Sequence, residues 1–241
     1  MALSFLYEIG HIICMTHSNI ILIADPRILA ISIKENADMM VDLRQQNIIA
    51  IGPSPEIPNN TDYTKMRKTV YEKLVQAQEL LPKGLFFCLY EAYRSLALQQ
   101  TLFENRYKEI QSKHPSWTKD ELFDETIKMV SPVTNKDQTK NVPPHSTGAA
   151  VDVYLIDDKG EALDMGIHPK DWKEDTEDTL SITDSQVISI EAKANRKIMS
   201  DALSQVGFVN YPTEFWHWSY GDRYWAYFQK QAFAIYDSVN S

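Results

Sequence analysis

The run His145-Ser146-Thr147-Gly148-Ala149-Ala150-Val151-Asp152 sets an imidazole and a carboxylate at the two ends of a stretch of small residues that leads into an apolar segment. Small residues let the backbone turn tightly, so the two side chains can converge on one point. A second imidazole stands in Glu214-Phe215-Trp216-His217-Trp218, with a carboxylate three residues ahead of it. Two histidines and one aspartate, His145, Asp152 and His217, give a catalytic zinc ion three protein ligands and leave its fourth position for water. Glu214 is then the unligated carboxylate that takes a proton from that water. In Glu91-Ala92-Tyr93-Arg94 an arginine follows an apolar run, where it could act as a fixed positive donor to a developing oxyanion. Each fragment alone also has a plain reading: a turn histidine, an aromatic core strand, a surface ion pair. Together the residues amount to a complete hydrolytic site.

Certain elements must position them. Met66, Val70, Leu74, Ala77 and Leu81 recur at helical spacing, and Pro82-Lys83-Gly84 stops that helix. Leu85 to Tyr90 reads as a buried strand that delivers Arg94. A second helix is predicted from about Ser95 to Lys113. Thr118 and Glu121 make a capping box for a third, reaching about Val130. Val151 to Ile156 is a strand turned by Asp157-Asp158-Lys159-Gly160. The acidic stretch 166–187, including the run Asp171 to Asp178, reads as a solvated loop. A fourth helix carries the stripe Ile198, Met199, Ala202, Leu203 and Val206, with Gly207 at its end. Phe208–Tyr211 and Glu214–Tyr220 form a hairpin across Pro212-Thr213, with Phe215 and His217 on one face and Trp216 and Trp218 on the other. The expected class is α+β, a small antiparallel sheet flanked by helices. Residues 1–35 read as an N-terminal extension and 36–241 as the domain that carries the site.

Composition narrows the function classes. Among 241 residues, 24 Lys and Arg stand against 33 Asp and Glu, a net charge of −9. That balance argues against nucleic acid as a partner. No run is apolar enough for a membrane span, since Ile20 to Ile33 is broken by Asp25, Pro26 and Arg27. Cys14 and Cys88 are too few for a disulfide scaffold, and Cys88 reads as a buried small hydrophobe. The first fourteen residues contain Glu8 and His11 but no Lys or Arg, which argues against a secretory leader and favours the cytoplasm, with the periplasm left open. Met15 is an alternative start. His11, His17 and His114 have no partner pattern and read as surface or packing residues, and His168, near the proposed site segment, reads as a loop histidine. Oligomeric state is not legible.

The order Tyr-Arg, then His-x-x-Gly-x-Ala-x-Asp, then Glu-x-Trp-His resembles the D-alanyl-D-alanine dipeptidases of the vancomycin-resistance type, zinc peptidases with a hedgehog-like fold. The similarity covers roughly residues 40–228. It implies one zinc ion per chain held by His145, Asp152 and His217, Glu214 as catalytic base, and Arg94 stabilising the transition state. It further implies a small peptide, D-Ala-D-Ala, as substrate. With a one-residue gap it also points to Asp171 as the partner of the substrate ammonium, which would close the pocket to N-acylated peptides. Pro143 stands where the dipeptidases often have serine, and Ser95 where proline commonly follows the arginine. The alternatives are a D,D-carboxypeptidase acting on peptidoglycan stem peptides, and a non-catalytic zinc- or peptide-binding module on the same scaffold.

Overall fold

The computed structural model describes residues 20–55 and 57–239. His11, Cys14, His17 and the reading of the first fourteen residues lie outside them. Six helices, α1 (Pro26–Leu29), α2 (Lys68–Leu80), α3 (Leu96–Lys113), α4 (Lys119–Thr126), α5 (Ile190–Gln205) and α6 (Arg223–Phe228), surround seven strands. The strands are β1 (Met40–Asp42), β2 (Ala50–Ile51), β3 (Lys65–Arg67), β4 (Phe86–Glu91), β5 (Ala150–Ile156), β6 (Val209–Tyr211) and β7 (Glu214–Ser219). The class is α+β, as the sequence predicts. The main sheet has the order β2-β4-β5-β7-β6, and β1 pairs with β3 in a small separate ribbon. The main sheet is antiparallel except at one edge, where the two-residue strand β2 runs parallel to β4.

Alternation along the central strands gives the sheet two different faces. Phe87 and Leu89 of β4 and Val151, Val153 and Leu155 of β5 join Trp218 of β7 in the principal core. Val70, Leu74 and Ala77 of α2 and Met199, Ala202 and Leu203 of α5 cover that face. On the other face Cys88, Tyr90, Tyr154 and Ile156 form a smaller cluster, and Cys88 is a buried free thiol, as expected. Asp152 and His217 belong to this second face. Helix α3 lines the cavity over it, and α4 packs against α3 through Phe103 and Phe123 with ring centroids 5.4 Å apart. Ser95 caps α3 through the Leu98 amide, and the Thr118–Glu121 capping box opens α4 as predicted.

Three local expectations need correction. Helix α4 ends at Thr126 rather than near Val130, and α5 begins at Ile190, well before the stripe that reveals it. The acidic stretch is not uniformly solvated, because Asp175 is buried and accepts hydrogen bonds from the amides of Thr179 (3.0 Å) and Ser181 (2.7 Å). The facing of β7 is also not the simple one. Phe215 lies in the core with the Arg196 guanidinium over it, 3.9 Å from its ring centroid, and Trp216 belongs to the same core while also lining a cavity beside Glu214. The cause is a register shift in the β6–β7 ladder, where Asn210 pairs with Trp218 but Tyr211 pairs with Glu214.

Candidate active site

His145 lies on a 3-10 turn, Pro144–Thr147, that ends at Gly148 with φ +72°. The left-handed backbone there favours glycine, and a side chain at Gly148 would also push the tip of the Met40 side chain aside. Buried Arg67 clamps the turn: its backbone N–H donates to Gly148 O (2.9 Å) and its Nε to Thr147 O (2.8 Å). The His145 Nδ1 donates to Ala92 O at 2.6 Å, which fixes the tautomer and aims the Nε2 lone pair inward. The chain then enters β5, which carries Asp152 to the middle of the sheet, directly across from His217 on β7. Both ladders hold these positions by backbone hydrogen bonds.

The three side chains converge. His217 Nδ1 is 3.0 Å from Asp152 Oδ1 and 3.1 Å from His145 Nε2, and His145 Nε2 is 3.4 Å from Asp152 Oδ2. All three residues are buried, and their donor atoms lie within 4.8 Å of one another. Burial works to raise the Asp152 carboxyl, but the two imidazoles override it and hold it well below the usual carboxylate range. For His145, burial works to lower the imidazole, and the Asp152 carboxylate outweighs it so that the net shift is upward. Two inward-facing imidazole nitrogens around one buried carboxylate are a donor set that fits a single divalent cation. Ala92 O supplies the outer partner that such a histidine ligand requires.

Glu214 sits at the start of β7 with Oε2 4.0 Å from His217 Nδ1, beside the cluster rather than in it. Burial pushes its carboxyl up to about 7, against a weaker opposing pull from His217. Asn210 holds the shifted segment in place: its amide donates to His217 O (3.0 Å) and Glu214 O (3.2 Å). Arg94 lies across from these groups. Its guanidinium grips the buried Glu91 carboxylate through Nε and Nη2, and Nη1 donates to Gln99 Oε1 at 3.0 Å. Sequence reading passes over Glu91 and Asn210 as functional positions. The only signal for Glu91 is a glutamate three residues before an arginine, and Asn210 gives none.

All of these groups except Asn210 line one cavity of about 310 Å³. It continues from the cluster along α3, where Leu98, Leu102 and Arg106 face it at four-residue spacing. Asp171 does not line it. The short turn Pro169–Glu174 presents Pro169, Trp172 and Lys173 to the cavity instead. Asp171, the expected ammonium partner, is therefore not brought to the cavity. His168 lies outside the cavity wall, stacked edge-on against Tyr154 at 4.5 Å, in keeping with its plain reading.

A family model described as D-Ala-D-Ala dipeptidase, peptidase M15, matches residues 61–236, a span that contains every one of these groups. The chain belongs to the M15 peptidase family. A D-alanyl-D-alanine dipeptidase of Synechocystis sp. is 26% identical over 220 residues, covering 83% of this chain and 88% of the relative. Among solved structures, VanYB in complex with D-alanine-D-alanine is 17% identical, covers 79% of this chain and 92% of that one, and has a TM-score of 0.40. The LdcB LD-carboxypeptidase is 16% identical over 81% of this chain and 74% of its own, with a TM-score of 0.38. At those scores the likeness is remote. This M15 peptidase is thus an enzyme, and the non-catalytic alternative falls away.

Proposed function

We propose that this peptidase hydrolyses D-alanyl-D-alanine in a zinc-dependent reaction, with His145, Asp152 and His217 as metal ligands. The observation that carries the reading is the buried His-Asp-His cluster with Glu214 4.0 Å from one ligand and outside the donor set. Zinc held there would polarise the scissile carbonyl and acidify a water molecule towards a pKa of about 7. Glu214 removes the water proton and returns one to the leaving amine. Its buried setting keeps its affinity for a proton close to the working range of a general base. Arg94 donates to the oxygen on which negative charge develops, from a site shielded from bulk solvent. Asn210 and the β5–β7 ladder keep the base and the His217 ring in fixed relation.

A second reading, a D,D-carboxypeptidase acting on peptides that end in D-Ala-D-Ala, is favoured by the length of the cavity. From Leu98 to Arg106 the wall runs about 12 Å at 1.5 Å per residue. An extended dipeptide spans only about 7 Å. The deciding experiment is mass-spectrometric product analysis of the zinc-loaded protein with D-Ala-D-Ala and with an N-acylated peptide ending in it. Release of D-alanine from the free dipeptide supports the first reading, and comparable release from both substrates supports it with a pocket open to longer peptides, as the second reading requires. Release from the longer peptide alone replaces it with the second, and release from neither removes both.

A further inference from the structure

We propose that Glu91 is a positioning residue for Arg94, setting the plane of the guanidinium that faces the reacting carbonyl. The proposal rests on the reading of Arg94 as oxyanion donor. An Arg–Glu pair three residues apart is ordinarily a weak surface contact. This one is different in its burial: the Glu91 side chain is 2% exposed and that of Arg94 13%. A carboxylate this deep is costly unless it is fully paired, so the arrangement is stable only with the guanidinium in place.

The geometry is a two-point grip on one edge of the guanidinium, from Nε and Nη2 to the two Glu91 oxygens, with Gln99 as a third point. A planar fork held along one edge cannot rotate about its long side chain, and lysine could not be held in the same way. The Glu91 position comes from a bulge. Leu89 pairs with Val153, but Glu91, not Tyr90, faces Asp152, so an extra residue turns both Tyr90 and Glu91 towards the cavity. The same strand end serves the metal cluster, since Ala92 O receives His145 Nδ1 and the Arg94 amide donates to His145 O at 3.3 Å. One four-residue segment thereby registers Arg94 against the His145 ligand.

The test is a double-mutant cycle on the full-length zinc-loaded enzyme with D-Ala-D-Ala, using Glu91→Gln, Arg94→Ala and the two combined. Glu91→Gln is expected to lower kcat about 10- to 100-fold, the scale of a misplaced catalytic group, with zinc content, KM and the form of the pH profile little changed. In the Arg94→Ala background it should cost no more than about twofold, because its route of action is gone. Glu91→Asp keeps the charge and should fall between wild type and Glu91→Gln. Should Glu91→Gln fail to fold, Glu91→Asp carries the same cycle, and should Arg94→Ala fail, Arg94→Lys takes its place, since it keeps a charge beside Glu91 but cannot be gripped along one edge. An equal loss from the Glu91 change with and without Arg94, or no loss where Arg94→Ala is crippled, overturns the proposal. Full turnover in Arg94→Ala instead removes the oxyanion-donor role, and an inactive wild type removes the peptidase reading itself.

Discussion

Asp152 and His217 face each other across the β5–β7 ladder, and their side chains meet with 3.0 Å between Oδ1 and Nδ1. A metal centre built on paired strands inherits the rigidity of their hydrogen bonds, whereas one built on loops must be ordered when the ion arrives. Only His145 comes from a turn, and Arg67, Gly148 and Ala92 O fix that turn from three sides.

This arrangement predicts one zinc ion per chain. His145→Ala and His217→Ala should each weaken zinc binding by on the order of 10²-fold or more, since loss of an outer partner alone costs 10- to 100-fold. Asp152→Asn keeps the shape and removes the charge that two imidazoles surround, and should do the same. Equilibrium dialysis against a competing chelator, with circular dichroism to verify folding, is the measurement. Wild-type affinity in the two histidine variants would remove the ligand assignment.

Glu214→Gln tests the base separately from the metal. The amide fills the same space beside His217 without accepting the water proton. Zinc should be retained, and kcat should fall by about 10² to 10⁴, the range for loss of a general base. KM should move little, because the interaction belongs to the proton transfer rather than to binding. Near-normal turnover at saturating zinc would place the base elsewhere.

The site was more legible in the sequence than the sheet that carries it. His145 and Asp152 share one compact motif, so short-range spacing already brings them together, whereas His217, 65 residues beyond Asp152, is joined to them in the sequence only by the resemblance of the motif order. Glu91 and the facing of Phe215 and Trp216 were not legible, and the reason is the same in both places. A bulge adds residues to one strand opposite the other, and the period of two on which sequence reading relies then slips. Asp171 failed for a different reason: a 3-10 turn has three residues per turn, so neighbours point in widely separated directions. Pro169 and Trp172, three residues apart, therefore face the cavity where Asp171 does not.

Asp175 gives a stability prediction with a defined sign. Burial works to raise its carboxyl, but the amides of Ser181, Leu180 and Thr179 outweigh it and hold the group below its ordinary 3.8. A carboxyl whose folded value is lowered stabilises the fold fully above its unfolded value, and that stabilisation is lost as pH falls through the lowered folded value. Asp175→Ala should therefore cost about 1–3 kcal/mol near pH 7, the scale of a buried donor left unpaired. The gap to wild type should stay constant down to about pH 5 and narrow below about pH 4. Urea unfolding at pH 7, 5 and 3 measures it. A gap that widens on acidification would show that Asp175 is protonated more readily in the fold than out of it.

The last prediction concerns substrate length. A pocket closed to longer peptides needs a group that pairs with the free ammonium of a dipeptide and is left unpaired by an acylated one. Asp171 was the candidate, and it stands outside the cavity wall. The wall continues instead along α3 past Leu98 and Leu102 to Arg106, further than a dipeptide reaches. N-acylated D-Ala-D-Ala is therefore expected to be hydrolysed with kcat/KM within about tenfold of the free dipeptide, a difference of about 1.4 kcal/mol in transition-state binding. Leu102→Trp separates the two substrates. A larger side chain on the second turn of α3 narrows the outer cavity and leaves the metal cluster untouched. It should reduce turnover of the acylated peptide by about 10-fold or more while changing that of D-Ala-D-Ala less than about threefold, since one lost apolar contact or clash in a pocket is worth about 1–3 kcal/mol. Steady-state kinetics on both substrates decides it. Discrimination of 10²-fold against the acylated peptide in wild type would mean that some other group of the cavity takes the ammonium and closes the pocket after all.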